Sequence, residues 1–358
     1  MKAYYVILCL AMAAICVSCE RDLDFSGPSE EVENNLVINS VAVADTSLTI
    51  YITDAYPIGK APTILYYDYD HAVFGKDETS TDYVIDDYFK KTAVRDAEVT
   101  VQVNGQETYD AVFNEINLSY ECAYVPKSQD RIRVTARHLE QVAYAETTVP
   151  QKPKIEVLGH EVIPENPYRE TEELFNRVDT IMRLSFRIDD AGGEQYYRLR
   201  VRGERTAHYD VGIYATPIVY YYMQDIYFSD DELFNDERLN TNFGGWPANF
   251  SNVFDNSLMR GRSYTFTVYS PKAGNTSGYM RILLDDWKSE GPEIPTRVMV
   301  ELQAISPELY RYLKSAQHYR VTANDANAEP VQIYSNIEGG WGIFGSLSYD
   351  RHFVEYRD

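Results

Sequence analysis

Cys19 is the first position in this chain where residue type and spacing imply chemistry. Lys2 is followed by an apolar run over residues 3–17, then by Ser18-Cys19 and the charged stretch Glu20-Arg21-Asp22-Leu23-Asp24. A positive start and a short apolar run suit export, but the run falls short of the roughly 20 residues needed to span a bilayer. A cysteine after a small residue, in place of an Ala-x-Ala site, is what a bacterial lipoprotein signal looks like. Cleavage would precede Cys19, and the new N-terminal cysteine would carry a diacylglycerol and an N-acyl chain such as palmitate. Several acyl chains together clear the threshold for stable membrane anchoring. Residues 1–18 therefore read as signal and residues 19–35 as an acidic tether, with the body held to the cell envelope at the outer membrane and facing a partner.

Other chemistry-bearing residues are less sharply patterned. The acidic stretch Asp225 to Glu237 contains Asp230, Asp231 and Asp236, hard oxygen ligands at short spacing that could hold Ca²⁺. It lacks the Asp-x-Asp-x-Asp-Gly order of a calcium loop. The favoured reading is a solvated loop, or Ser229 or Asp230 capping a short helix that starts at Asp231, so no metal is assigned. Tyr66, Tyr67 and Tyr69, alternating with Asp68 and Asp70, form an aromatic cluster suited to ligand contact. Trp246 in Gly244-Gly245-Trp246-Pro247 and Trp341 in a Gly-rich run are further contact candidates. His160-Glu161 begins like a zinc motif, but Pro164 stands where the second histidine would be. Nucleophile elbow, phosphate loop and Cys-x-x-Cys are all missing. No catalytic residue and no cofactor is assigned, and a non-enzymatic role is expected. Two alternatives stand beside it: a surface hydrolase using two carboxylates from the Tyr/Asp loops, and a structural, adhesin-like module.

Composition narrows the partners. The 358 residues carry a net charge of −22, which becomes −23 once Lys2 leaves with the signal. Such acidity argues against nucleic acid, whose phosphates would repel it. Of the four cysteines, Cys9 and Cys16 leave with the signal and Cys19 takes lipid. Cys122 is left alone in a strand-like run, as a small buried hydrophobe rather than half of a disulfide. Tyrosine is abundant, 31 residues, which favours half-buried strands.

The elements that would position these residues are strands. Residues 97–103 alternate strictly and run into Asn104-Gly105, a hairpin signal. Further runs lie at 36–38, 47–52, 109–113, 131–136 and 142–149, a spacing that reads as a sandwich. Pro150-Gln151-Lys152-Pro153 looks like a boundary. Beyond it, strand patterns recur at 155–158, 181–188, 196–201, 264–269, 279–284, 297–302 and 331–337. One helix is expected from 306 to 316, with Ser306 as cap, Pro307 at its first position and Glu308 in its first turn. Four glycines among residues 339–345 predict left-handed turns or close backbone approach. The expected architecture is mainly β: an immunoglobulin-like β-sandwich at 36–150 and a larger β-rich domain at 151–358 with a short helix.

Several segments in order carry a family signal: Asp189-Asp190-Ala191-Gly192 with Tyr196-Tyr197-Arg198-Leu199, then Phe254-Asp255, then Leu302-Gln303-Ala304-Ile305-Ser306 with Tyr310-Arg311-Tyr312-Leu313. The most specific is Pro330-Val331-Gln332-Ile333-Tyr334-Ser335-Asn336-Ile337, followed by Gly342-Ile343-Phe344-Gly345. Through them the chain resembles the Bacteroidota lipoprotein family catalogued as domain of unknown function 4249. The resemblance implies an envelope lipoprotein with an immunoglobulin-like N-terminal half. It also implies a possible partnership with a TonB-dependent outer-membrane transporter, and it supplies no catalytic residues.

Overall fold

The computed structural model describes residues 35–55, 92–164, 181–211, 214–221, 227–239, 250–271, 297–322, 329 and 331–355. All lie in one compact unit, Asn35–Ala55 with Pro62–Asp358. The fold is mainly β, as the alternating sequence predicts. Seven strands come first: β1 (Leu36–Val43), β2 (Leu48–Asp54), β3 (Glu98–Val103), β4 (Glu107–Asn114), β5 (Ser119–Cys122), β6 (Arg131–His138) and β7 (Gln141–Thr148). Eight follow: β8 (Ile155–Ile163), β9 (Ile181–Asp189), β10 (Tyr196–Val211), β11 (Tyr214–Tyr221), β12 (Val253–Asp255), β13 (Ser263–Pro271), β14 (Arg297–Ile305) and β15 (Gly340–Glu355). One helix, α1, spans Pro307–Thr322.

Twelve of these strands form one sheet in the order β11-β10-β14-β15-β1-β2-β5-β4-β3-β6-β7, with β12 also paired to β10; β13-β9-β8 form a second sheet. The alternation in β3 puts Val99, Val101 and Val103 inside with Thr100 and Gln102 outside. Asn104 and Gly105 turn the chain at φ 53° and 69°, the left-handed pair that an Asn-Gly hairpin supplies at low cost.

β15 is the element that the short apolar runs did not reveal. It pairs parallel with β1 from Leu36↔Gly340 to Val43↔Leu347, and antiparallel with β14 from Arg297↔Glu355 to Ile305↔Leu347. Strand pairing therefore crosses residue 150. Along its 16 residues β15 serves two cores. Phe344 belongs to the core enclosed by β1–β7, and Val354 to the core built by β9, β10, β13 and β14. The glycines at its start make the parallel approach possible. A Cβ on Gly340 would lie 2.3 Å from the Leu36 carbonyl, and one on Gly342 would lie 2.2 Å from that of Ile38, at φ +106°. This is the close approach that glycine density predicts.

α1 lies against the other face of β15. Gly345 sits under Leu309, and Leu309, Leu313 and Tyr312 pack with Val41, Ile305 and Leu347. Ser306 caps the helix as expected, its Oγ accepting from the Leu309 N–H at 3.4 Å, and the helix runs six residues beyond 316. Residues 331–337 differ from expectation: they join no strand ladder. Instead the Asn336 amide pairs with Phe344, accepting from its N–H at 3.0 Å and donating to its carbonyl at 2.8 Å. One side chain replaces a ladder's backbone bonds there. The strand expected at 279–284 lies outside the described residues.

Candidate functional site

A polar cluster lies between α1 and residues 229–239 and 250–252. Its parts arrive by separate local rules. Asp231, not Ser229 or Asp230, is the cap: its Oδ1 accepts from Leu233 N–H at 2.9 Å and opens a short 3-10 turn, Glu232–Phe234. The phenol of Tyr264 donates to the same oxygen at 2.9 Å. A second 3-10 turn, Glu237–Leu239, follows Asp236 and presents its carboxylate inward. From α1, Lys314 reaches that carboxylate with Nζ 2.7 Å from Oδ2, and Arg238 binds both oxygens at 2.9 Å. Lys314 also donates to Ser251 Oγ at 3.0 Å, and Gln317 reaches Asn252 at 2.9 Å.

Burial sets the electrostatics. It pushes Asp236 upward, but the hydrogen bonds from Arg238 and Lys314 outweigh it and hold the carboxyl below the usual carboxylate range. Burial pulls Lys314 down, and Asp236 only partly restores it. Tyr310 on the same helix is pushed up to about 12, first by burial and then by the nearby Asp255 carboxylate. Asp236 is thus ionised at neutral pH, with Lys314 held against it. A serine beside a lysine is a nucleophile–base arrangement only when the lysine is neutral. Asp236 favours the protonated form of Lys314, and Ser251, 1% exposed, donates its own hydroxyl to a neighbouring carbonyl oxygen. This arrangement pins the helix to the turns beneath it.

A second buried carboxylate, Asp190, ties three turns together. It accepts from Tyr197 Oη at 2.9 Å, from Asn256 Nδ2 at 3.0 and 3.1 Å, and from the backbone N–H of Gly192 and Gly261 at 2.9 and 2.7 Å. Burial raises it, yet these donors together hold it below its ordinary value. Both glycines take positive φ, +85° and +67°, and a Cβ on either would reach the Cα of the other at 3.8 or 4.0 Å.

Against the expected site residues, the acidic stretch divides. Asp230 is exposed, Asp231 caps a turn and Asp236 is locked by two cations, so the three do not converge on one point. Among the described residues, no group of three or more His, Cys, Asp or Glu side chains could hold a metal ion. Trp341 is 48% exposed on β15 opposite Val37, open to contact. Cys19, Tyr66, Tyr67, Tyr69 and Trp246 lie outside the described residues. Cys122 is buried and unpaired, and burial pushes its thiol up. No helix among the described residues is long and apolar enough to cross a membrane. Sequence reasoning missed Lys314; its signal was a lysine four residues after Tyr310 on the face of α1 that packs inward.

Comparison with known proteins adds one relationship. A family model described as a domain of unknown function (DUF4249) matches residues 20–352. Among curated proteins, none matches the chain.

Proposed function

The chain belongs to the DUF4249 family, and from that premise we propose that it is a lipid-anchored accessory or binding protein of the Bacteroidota outer membrane. It works beside a TonB-dependent transporter and carries no catalytic centre of its own. The observation that carries this reading is the Ser18-Cys19 junction behind a short apolar run. The family match supports it, because it begins at residue 20, directly after that cysteine. The three buried carboxylates of the described residues are all taken up internally, Asp190 in holding turns, Asp236 in holding a helix and Glu301 in binding Arg351, which is consistent with a scaffold that presents surfaces. Strands β1–β7 are read as the immunoglobulin-like sandwich of that scaffold.

Two measurements test the proposal. Cys19→Ala leaves the chain uncleaved or released from membranes, whereas wild type labels with palmitate; correct cleavage with retained membrane attachment would overturn the anchor. Native chain purified with its membrane neighbours brings down a transporter, and recovery of none, with uptake unchanged after deletion, would overturn the partnership.

A further inference from the structure

Two apolar side chains stand out among the described residues. Ile116 and Leu139 are each 89% exposed, and both occupy turn tips. The registers put these tips at one end of the β1–β7 body. Leu36 pairs with Asp54 at the start of β1, and β2 runs antiparallel to β5, so the chain leaves β4 at Asn114 and enters β5 at Ser119 at that same end. β6 and β7 close at His138↔Gln141, again at that end, with Leu139 in the two-residue turn. Trp341, 48% exposed, lies opposite Val37 one residue inside the end, and Val142, 45% exposed, lies beside Gly339. The end that carries these side chains is the end at which residue 35 joins the body to the tether.

Among the described residues, folding gives no reason for this arrangement. A two-residue hairpin favours Asn or Gly where φ is positive, and Leu139 stands at φ 53° with its branched side chain in water. The Ile116 turn is held from within: the Asn114 side chain accepts from the N–H of Ile116 and of Asn117, and Asn117 donates to Glu121 at 2.8 Å. Its tip is therefore presented outward on a fixed backbone. Ion pairs lie nearby, with Arg95 2.6 Å from Glu115 and Arg137 3.7 Å from Glu98, and His138 sits 3.1 Å from Asp96, while Glu140 shares the Leu139 turn and is exposed. Apolar tips on held turns, with an exposed tryptophan and a few charges beside them, suit the boundary between headgroups and acyl chains, where charged groups stay at headgroup level.

We propose that Ile116 and Leu139, flanked by Trp341, dip into the surface of the membrane that holds the chain and fix its orientation there. This rests on the lipid anchor proposed above. The 15 residues from 20 to 34 extend to about 50 Å at most, so the tether permits this contact without enforcing it; the tips supply the orientation. Because the chain is acidic, the contact is apolar and does not depend on anionic lipid.

The test uses the full lipidated chain in zwitterionic vesicles of phosphatidylethanolamine and phosphatidylcholine. Ile116→Cys and Leu139→Cys each carry an environment-sensitive fluorophore, and Gln106→Cys, at the opposite end, is the reference. Flotation of the unlabelled chain with the vesicles reads the anchor alone. The expected result is a blue shift and loss of iodide quenching at 116 and 139, with neither at 106. A chain that floats while its tips stay as quenchable as position 106 overturns this inference alone. A chain that does not float overturns the anchor and this inference with it. A shift seen in native membranes but not in lipid vesicles overturns the lipid contact in favour of a protein partner.

Discussion

Asp190 and Asp236 are both buried carboxylates, and they are satisfied by opposite means. Asp190 meets only neutral donors: one phenol, one amide and two backbone N–H groups. Asp236 meets two cations, Lys314 and Arg238. Neutral donors must each be aimed, and the Asp190 network holds turns whose glycines take left-handed backbone to aim them. Cations on long stems need less aiming and span a wider gap from their own backbone. Accordingly Asp236 binds α1, 78 residues away, to the segment below it. Aim and reach are thus divided between the two sites, and that division can be tested.

The largest effect is expected from Asp236→Ala. It leaves Lys314, whose side chain is 11% exposed, buried without its carboxylate. Breaking a buried pair from one side costs about 3–5 kcal/mol. Urea unfolding of Lys314→Met should show a smaller loss, because Asp236 keeps Arg238. Equal losses in the two variants would mean that reach does not depend on the buried cation. Asp190→Asn comes next. The amide brings an NH2 group into a ring of donors, and each buried donor left unmatched costs about 1–3 kcal/mol. If Asn is tolerated there, the aimed network is not what holds these turns.

Acid separates the sites further. Both carboxylates are held below their ordinary values. A depressed folded pKa gives stability that is present above the unfolded value of about 3.9 and is lost as pH falls through the folded one. The urea midpoint should therefore decline below about pH 4. Asp190→Asn should make that decline shallower, since the variant no longer has the proton-linked group. An unchanged acid slope would place the linkage elsewhere.

How much of this was legible beforehand depended on whether the signal was local. The strict alternation of residues 97–103, the Asn104-Gly105 turn and the Ser306 cap are set by neighbours in sequence, and all three stand as read. The Gly-rich run announced close approach but not its partner, because the approach is to Leu36 and Ile38, some 300 residues earlier. For the same reason residues 331–337 were expected as a strand: their pattern is extended, but a side chain, Asn336, makes the bonds. At the site, the sequence drew attention to Asp236 among many acids and misjudged what it does, since Lys314 becomes its partner only once α1 is laid over it. Asp190 was visible as part of a turn, and its burial was not.

The smallest predicted effect tests whether reach depends on burial or only on charge. Arg238 and Lys314 bind the same carboxylate at similar distances, but the Arg238 side chain is 62% exposed. Water already solvates its guanidinium, so the pair gains little over separated ions. Exposed ion pairs are worth about 0–1 kcal/mol. Arg238→Gln should therefore lower stability by less than about 1 kcal/mol, and that loss should shrink further in high salt, because screening acts on exposed charges first. Asp236→Ala should lose nearly the same amount at either salt concentration, as its partner is dry. Should Arg238→Gln cost as much as Asp236→Ala, the bidentate guanidinium would be the true anchor of Asp236, and α1 would be held by packing over Gly345 rather than by its lysine.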